Sequence, residues 1–282
     1  MSRHLACLSF DFDAMSGWIA RGLTTPTPLS RGEFGAIGAK RILTLLAKYN
    51  IRSTWFIPGV TIVTYPDICR RVIDAGHEIG HHGWTHTPPA KLNRDTEAEE
   101  LKRANDAIYE LCGHHANGYR SPSWDLSPHT VELLLENHFL YDSSMMGHDH
   151  HPYRARHGDV IASEGSVQFG ATTDLIEMPV SWTLDDYPYF EFVRSSTSIL
   201  PGLSTAREVL KNWVDDFVYM CRNEQWGVLT YTFHPFVIGR GHRMMILEEL
   251  IKTLSDQGAI FTTMIDAATD FTKHEPLLGD QQ

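Results

Sequence analysis

Two aspartates in an otherwise apolar run are the first residues of this sequence that suggest chemistry. The run is Leu-Ser-Phe-Asp-Phe-Asp at residues 8–13, and its composition predicts a buried β-strand. Because side chains alternate between the two faces of a strand, Asp11 and Asp13 share one face. Neighbouring carboxylates repel each other and lose hydration on burial unless a cation or a donor lies beside them. One such aspartate would be interpreted as a helix cap or loop acid, but the pair favours a charged site.

A histidine-rich segment, His-His-Gly-Trp-Thr-His at 81–86, can supply the other ligands that a cation needs. His82 and His86 are four residues apart, a spacing found in many zinc sites, although this pattern alone is a weak signal. His77 and His81 are competing candidates, which we interpret as structural residues or as supports for the ligands. One aspartate and two histidines leave coordination positions open for water and substrate. The pattern therefore predicts a catalytic metal, with zinc the best match and cobalt, nickel or manganese as alternatives.

Two later segments carry side chains that could assist hydrolysis at such a metal. In Tyr-Arg-Ser-Pro-Ser-Trp at 119–124, Arg120 can orient a carboxylate and lower its pKa, and Trp124 can form an apolar wall. A surface arginine at a strand end is the alternative interpretation. His234 ends an apolar strand and precedes a proline, a position at which α/β barrels place catalytic groups. It could act as a general acid near neutral pH, and a hydrogen-bonded structural histidine is an equally good interpretation.

Short β-rich runs alternate with helical periodicity along most of the chain, which would position these residues at strand ends. Repeated β-then-α order predicts parallel strands joined by right-handed crossovers, and seven or eight such units favour a barrel. Residues 143–203, rich in His, Tyr, Pro and Ser, are interpreted as long loops with one strand-like run at 175–182. We find no Pro/Gly-rich linker, so residues 1–282 are predicted to form a single domain. Strands are predicted at 4–11, 53–57, 77–82, around 119, 227–233 and 259–264, and helices at 36–49, 65–75, 95–112, 128–138, 205–223, 243–257 and from 266.

Composition and charge narrow the class of protein. The chain has 282 residues, of which 42% are hydrophobic, and this length suits one α/β barrel with a large core. The net charge of −11 argues against a nucleic-acid partner, because such a surface repels phosphate. We find no apolar run long enough for a bilayer and no apolar leader before the first strand, so we expect a cytoplasmic protein without a membrane partner. The four scattered cysteines predict reduced thiols rather than a disulfide framework.

Taken together and in this order, these segments resemble the polysaccharide deacetylase family, which has the NodB-homology fold. The resemblance implies an α/β protein, a distorted (β/α) barrel of about seven parallel strands, with a metal-dependent amide or ester hydrolase site. The paired acids of the family are commonly adjacent, whereas here Phe12 separates them. By this resemblance Asp11 is the general base and Asp13 a metal ligand, together with His82 and His86 from the His-x-x-x-His motif.

The remaining motifs of the family also have counterparts. Its Arg-x-Pro motif matches Arg120 and Pro122, and an Asp-x-Ser element matches Asp142 and Ser144. The final histidine motif matches His234, which the resemblance makes the general acid. The match in order and content covers most of the chain.

Several departures from the common pattern resemble one subgroup that includes cyclic imide hydrolases, metal-independent allantoinase-like proteins and a peptidoglycan-deacetylase-like protein. The resemblance is closest to the bacterial cyclic imide hydrolases, and it implies a homo-oligomer, often a homotetramer. Features that carry it are the separated acids, Gly-His-His-Gly-Trp-Thr-His, Tyr-Asp-Ser-Ser-Met-Met, Pro-Tyr at 152–153, Glu177-Met-Pro, Trp182 and Leu-Asp-Asp at 184–186.

The resulting prediction is an imidase, which opens a small cyclic imide at a carbon–nitrogen bond to give a half-amide acid. Aromatic residues within 143–203 are expected to cover a small pocket. The alternatives are an N-deacetylase of N-acetylated glycan or peptidoglycan, an allantoinase-like cyclic amidase, and a non-catalytic binding protein on the same fold. A polymer would need an open groove, and the complete set of chemical residues disfavours a binding protein. Residues expected to face the substrate are Tyr119, Trp124, Asp149, Glu177 and Trp182.

Overall fold

A curled sheet of mostly parallel strands forms the centre of the protein. The computed structural model describes residues 2–162, 165–194, 199–200 and 202–274. Within them, nine strands join one sheet and two strands form a separate hairpin. The strands are β1 (Arg3–Asp11), β2 (Thr54–Ile57), β3 (Glu78–His81), β4 (Gly118–Tyr119), β5 (Tyr141–Asp142), β6 (Tyr153–His157), β7 (Ala171–Glu177), β8 (Val193–Arg194), β9 (Ile199–Leu200), β10 (Trp226–Phe233) and β11 (Ile260–Phe261).

Helices follow most of the strands of the sheet, as the alternating pattern of the sequence predicts. They cover the sheet and connect consecutive parallel strands by crossovers. They are α1 (Ser16–Ala20), α2 (Pro26–Tyr49), α3 (Gly59–Thr64), α4 (Pro66–Asp74), α5 (Arg94–Cys112), α6 (Thr130–Glu136), α7 (Asp186–Phe190), α8 (Ala206–Asn223), α9 (Pro235–Ile238), α10 (Gly241–Asp256) and α11 (Met264–His274). No helix in these ranges is both long and apolar enough to cross a bilayer.

The order of the strands shows how the sheet curls. The sheet runs β10-β1-β2-β3-β4-β5-β7-β6, with β11 beside β1, and β6 is antiparallel to β7 while the other pairs are parallel. The chain after β7 returns to the first strand of this order, where Asp185 forms an isolated parallel bridge with Thr232. The sheet is therefore a curled half-barrel, and the predicted α/β class and distorted (β/α) barrel are confirmed.

The side chains on the two faces of β1 belong to two different clusters, and the aspartate of the candidate site lies on one of these faces. Leu8 and Phe10 belong to the large apolar cluster on the outer face of the sheet, which the long helices cover. Leu5 and Cys7 belong to a smaller cluster on the inner face, where α11 packs. Burial on both faces explains why β1 reads as an almost continuous apolar run. Asp11 lies on the inner face, four residues beyond Cys7, because it keeps the same alternation.

The carboxyl ends of the strands lie at one edge of the sheet. Asp11 pairs with Phe56 of β2, and Ile57 of β2 pairs with His81 at the end of β3. His81 in turn pairs with Tyr119 of β4, and the same edge continues through β5 and β7. Residues that follow these strands are therefore brought together, as expected for an α/β barrel.

Two stretches differ from the sequence prediction. The segment interpreted as mostly loops contains an antiparallel arm of β6 and β7, and β7 ends at Glu177 rather than continuing to 182. Strand β6 was not predicted because two of its five residues are arginines, which leave no apolar run to recognise. The strand lies at the edge of the sheet and is partly exposed, so it tolerates these charges. Helix α2 begins at Pro26 rather than at 36, with the proline in the first turn, where its missing N–H costs nothing.

Candidate metal and catalytic site

The carboxyl edge of the sheet brings the aspartate pair to two histidines from the segment after β3. Asp13 lies two residues beyond the end of β1, and His82 directly follows β3. The Nε2 atom of His82 lies 3.3 Å from one carboxylate oxygen of Asp13, and Nε2 of His86 lies 3.4 Å from the other. One ligand atom from each of these three buried residues falls within 4.8 Å of the others. The predicted Asp/His/His set therefore forms a compact cluster.

A tight loop, not a helical turn, brings the two histidines together. His86 has a φ of +62° and Gly83 a φ of +69°, both in the left-handed region that a helix does not contain. Glycine adopts this conformation freely, whereas a histidine there is strained. Such strain at a ligand position is typical of a functional site whose geometry the surrounding fold imposes.

Strand alternation separates the histidines of this segment. His81 points to the outer face, where its Nε2 lies 3.0 Å from the carbonyl oxygen of Leu101 and its Nδ1 accepts from the N–H of Gly83. His77 accepts a hydrogen bond from the backbone N–H of Ser53 at 3.1 Å. Neither belongs to the cluster of Asp13, His82 and His86, so the structure places the two competing candidates elsewhere.

Hydrogen bonding prepares His82 as a ligand. Its Nδ1–H donates to the carbonyl oxygen of Arg120 at 2.7 Å, which directs Nε2 toward Asp13. Burial alone would lower the pKa of His82, but Asp11 and Asp13 raise it above its usual value. Burial lowers the pKa of His86 to about 4, so this imidazole is neutral and has a free lone pair. The Oδ1 atom of Asp13 is buried without a hydrogen-bond partner among the described residues. Two imidazole nitrogens and an unsatisfied carboxylate oxygen fit a divalent cation such as zinc.

Arg120 holds the second carboxylate of the pair. Its Nη1 donates to Oδ1 of Asp11 at 2.8 Å and to the hydroxyl of Ser9 at 2.8 Å. The same guanidinium donates to the backbone oxygen and the hydroxyl of Ser143, and it is fully buried. The Oδ2 atom of Asp11 is left 3.8 Å from Nε2 of His82, beside the ligand cluster. One oxygen of Asp11 is thus fixed while the other faces the candidate metal position.

His234 approaches the cluster from β10, with two aspartates behind it. Its Nδ1–H donates to Oδ1 of Asp186 at 2.8 Å, and its Nε2 lies 3.8 Å from Oδ2 of Asp13. Burial alone would lower the pKa of His234, but Asp185, Asp186 and Asp13 raise it well above its usual value. Burial raises the pKa of the neighbouring Asp185 to about 7. In the sequence analysis these two aspartates appear only as part of the subgroup resemblance. Nothing in the sequence indicated that they lie beside His234.

A cavity of about 100 Å³ opens above these groups. Ala14, His86, Ser123 and Trp124 line it and have a positive φ, which makes them four of the seven such non-glycine residues in the described chain. This concentration of strained backbone supports a functional role for the cavity. Aromatic side chains form most of its apolar wall, namely Trp18, Trp124, Trp182, Tyr187 and Phe236.

The structure places the predicted substrate-facing residues in two groups. Trp124 and Trp182 line the cavity, and their ring centroids are 4.2 Å apart. Tyr119 is buried with its ring 5.2 Å from that of His81, and Asp149 lies on the surface beside His148. Glu177 is fully buried and accepts hydrogen bonds from two backbone N–H groups, those of Ser144 and Met145. Tyr119, Asp149 and Glu177 therefore do not line the cavity.

Sequence reasoning missed several residues of the cavity, among them two aromatic residues and an arginine. Trp18 and Arg21 come from α1 and the residue after it, and Phe236 comes from α9. A lone aromatic or basic residue on a short helix has no periodic signature, so the sequence held no signal for them beyond their closeness to Asp13 and His234. The completed arrangement is that of a hydrolase: a candidate metal site, an oriented carboxylate and a histidine paired with carboxylates at the carboxyl edge of a barrel.

Comparison with known proteins identifies the family. The family model described as polysaccharide deacetylase matches residues 36–139. A peptidoglycan deacetylase of Helicobacter pylori is 33% identical over 96% of this chain and 97% of its own length. The chain belongs to the polysaccharide deacetylase family, whose deacetylases hydrolyse the carbon–nitrogen bond of an amide. The family predicted from the motifs is thereby confirmed.

Solved structures agree with this assignment at the level of the fold. A putative polysaccharide deacetylase from Mycobacterium smegmatis has a TM-score of 0.81 and 32% identity, covering 97% of this chain and 92% of its own. A Puue allantoinase has a TM-score of 0.79 at 21% identity, covering 98% of this chain and 92% of its own, which shows a shared fold alone. None of the relatives named here is a cyclic imide hydrolase, so the predicted subgroup stays a prediction.

Proposed function

We propose that the protein is a divalent-metal-dependent hydrolase that removes the acetyl group from the nitrogen of an N-acetylated amino sugar. The observation that carries this proposal is the placement of two different proton-transfer groups beside one ligand cluster. Asp11 lies within 3.8 Å of His82, and His234 lies within 3.8 Å of Asp13. Amide hydrolysis needs both a base for the attacking water and an acid for the leaving nitrogen.

The ligand cluster supplies the first requirement of the reaction. A zinc ion held by Asp13, His82 and His86 would polarise the scissile carbonyl and lower the pKa of a water molecule. Cobalt, nickel and manganese accept the same nitrogen and oxygen donors.

Asp11 is the proposed general base. Its Oδ1 is held by Arg120, so only Oδ2 is directed toward the ligand cluster. The fixed guanidinium prevents the carboxylate from rotating. Oδ2 can therefore accept a proton from a water molecule that attacks the carbonyl carbon.

His234 is the proposed general acid. Its Nδ1–H is committed to Asp186, so Nε2 is the atom that exchanges a proton in the cavity. Asp185 and Asp186 raise the pKa of His234 and favour the cationic ring, which would carry a proton on Nε2 before the reaction. Donation of this proton to the amide nitrogen lets the amine depart as the carbon–nitrogen bond breaks.

An amino sugar fits both the relatives and the cavity. The relative from Helicobacter pylori is named a peptidoglycan deacetylase, and the apolar face of a pyranose ring can pack on an aromatic wall. The paired rings of Trp124 and Trp182 provide such a wall at the opening, where Trp182 is 45% exposed. An acetamido group would enter the cavity while the sugar ring stays on these tryptophans.

Cyclic imide hydrolysis is the second candidate, and one observation favours it. The cavity is small and bounded by five aromatic side chains, dimensions that suit a planar five- or six-membered ring. The same base, acid and ligand cluster would open an imide to a half-amide acid. The leaving nitrogen of an imide stays conjugated to the second carbonyl, so this reaction demands less of His234.

The test compares both substrate classes on the zinc-loaded protein. We expect acetate release from a chitin-type oligomer of N-acetylglucosamine, with little or no opening of succinimide and hydantoin. An Asp13→Ala variant prepared in parallel serves as the control for contaminating hydrolases. Opening of succinimide without acetate release would overturn the deacetylase proposal in favour of the imidase.

A further inference from the structure

We propose that Arg21 is the recognition site for a carboxylate on the body of the substrate, at the mouth of the cavity. This inference rests on the proposed function and deepens it by naming a substrate class. Arg21 directly follows α1, is exposed and lines the same cavity as the ligand cluster. An N-acetylated amino sugar that also bears a carboxylate would contact Arg21 with the carboxylate and the ligand cluster with the acetamido group.

The guanidinium of Arg21 is held in place without being neutralised. Its Nη1 donates to the hydroxyl of Tyr187 at 2.9 Å, and its central carbon lies 5.8 Å from the ring centroids of both Tyr187 and Trp18. No carboxylate of the described chain forms an ion pair with it. Four of its five N–H donors therefore have no partner among the described residues and remain for a ligand.

A second arginine that packs on Trp18, Arg31, differs from Arg21 because its charge is neutralised by a carboxylate. The central carbon of Arg31 lies 4.9 Å from the ring centroid of Trp18, and its guanidinium forms an ion pair with the buried carboxylate of Glu191. It also donates to the backbone oxygen of Phe192. Arg31 is thus a structural residue, whereas Arg21, which lines the cavity, keeps its charge available.

The charges of the cavity give the substrate a direction. At the floor, Asp11 is paired with Arg120 and Asp13 lies beside the ligand histidines, whereas Arg21 at the rim has no carboxylate partner among the described residues. A ligand carboxylate can form a bidentate pair with this guanidinium at the mouth. The neutral acetamido group is then the end that enters. Tyr187 links the two regions, because its ring lies 5.3 Å from that of His234 while its hydroxyl contacts Arg21.

The experiment uses N-acetylmuramic acid and its methyl ester, which have nearly the same shape and differ in one negative charge. We expect the zinc-loaded protein to deacetylate the acid about fivefold more efficiently in kcat/KM, the size expected of an exposed charge pair. The preference should disappear in Arg21→Gln and shrink when the ionic strength is raised. In Arg103→Gln, which removes an arginine packed on Trp84 away from the cavity, the preference should be unchanged.

A binding measurement separates this inference from the proposed reaction. Calorimetric titration of both compounds into the protein reports recognition even if neither is deacetylated. Tighter binding of the acid that is lost in Arg21→Gln supports the carboxylate site, and absence of turnover then counts only against the deacetylase. Equal binding of acid and ester, or a preference that survives in Arg21→Gln, overturns the role of Arg21 whether or not acetate is released.

Discussion

At the residue scale, the surroundings of Asp11 and Asp13 divide two identical carboxylates between two tasks. Arg120 donates to Asp11 and fixes it, while Asp13 has only histidines around it. Burial alone would raise the pKa of Asp13, but His86 and His82 lower it below its usual value. Asp13 is therefore ionised and short of a partner, as a ligand must be, whereas Asp11 is oriented and has one oxygen free, as a base must be.

This division predicts opposite behaviour of two single variants. Asp13→Ala should lose both bound zinc and turnover, because it removes the only carboxylate of the ligand cluster. Asp11→Asn should retain zinc, since its amide oxygen can still accept from Arg120, but lose turnover by about a thousandfold because an amide cannot accept the proton. Zinc content after dialysis and kcat on the N-acetylglucosamine oligomer are the two measurements. Turnover of Asp11→Asn within a few-fold of the parent would assign the base to another residue.

The site was predictable where chemistry left a pattern in the sequence. Paired acids, a histidine spacing and a histidine before proline pointed to Asp13, His82 and His234, which the fold brings together. Asp149 and Glu177 illustrate the opposite case, because an acid in a loop-like segment can be at the surface or buried on backbone N–H groups. Only the three-dimensional packing decides between these outcomes.

At the element scale, a row of glycines on α2 sets the position of the segment that follows His234. A Cβ atom added to Gly38 would lie 1.9 Å from the backbone oxygen of Pro235, the first residue of α9. At Gly35, one turn earlier, the nearest atoms would be 3.5 Å away, which is ordinary contact. The two helices approach so closely only because Gly38 has no side chain.

Two matched glycine variants test this close approach. Gly38→Ala should lower the free energy of unfolding by about 2 kcal/mol, because backbone must move to relieve the overlap. It should also lower kcat several-fold, since α9 begins directly after His234. Gly35→Ala should be neutral or slightly stabilising, because alanine is the better helix former and has room. Urea unfolding and kcat are measured for both, and equal stability of the two variants would contradict the proposed constraint.

The same glycines explain why the start of α2 was not predicted. Sequence reasoning placed the helix at 36–49, where Ile42, Leu45 and Leu46 recur at helical spacing. The turns before residue 36 bury Gly32 and Gly35 instead of large apolar side chains, so they show no hydrophobic period although they are helical. The first strand was predicted closely, at 4–11 against Arg3–Asp11, because its apolar run is almost continuous.

At the scale of the whole molecule, the apolar core and the charged site occupy different positions along the strands. The inner face of β1 is apolar at Leu5 and Cys7 and becomes polar at Ser9 and Asp11, toward the carboxyl end. The charged site therefore lies at one edge of a core that the rest of the sheet supports. A buried histidine at the opposite edge, His77, precedes β3 and lies far along the strands from the candidate metal position.

His77 makes the stability of the whole molecule sensitive to acid. Its Nδ1 accepts from the backbone N–H of Ser53, a bond that requires the neutral ring, and burial together with nearby Arg52 lowers its pKa from 6.5 to about 4. Between these two pKa values the unfolded chain binds a proton that the folded chain does not. The contribution of His77 to stability is therefore present above pH 6.5 and is lost as the pH falls toward 4.

A His77→Asn variant tests this contribution, because its amide oxygen can accept the same hydrogen bond without titrating. Between pH 7 and pH 4.5, we expect the free energy of unfolding of the variant to fall by on the order of 1 kcal/mol less than that of the parent. Urea unfolding of both proteins at several pH values measures the difference, in which the contributions of all other groups cancel. Parallel pH profiles would mean that His77 is not held neutral in the folded protein.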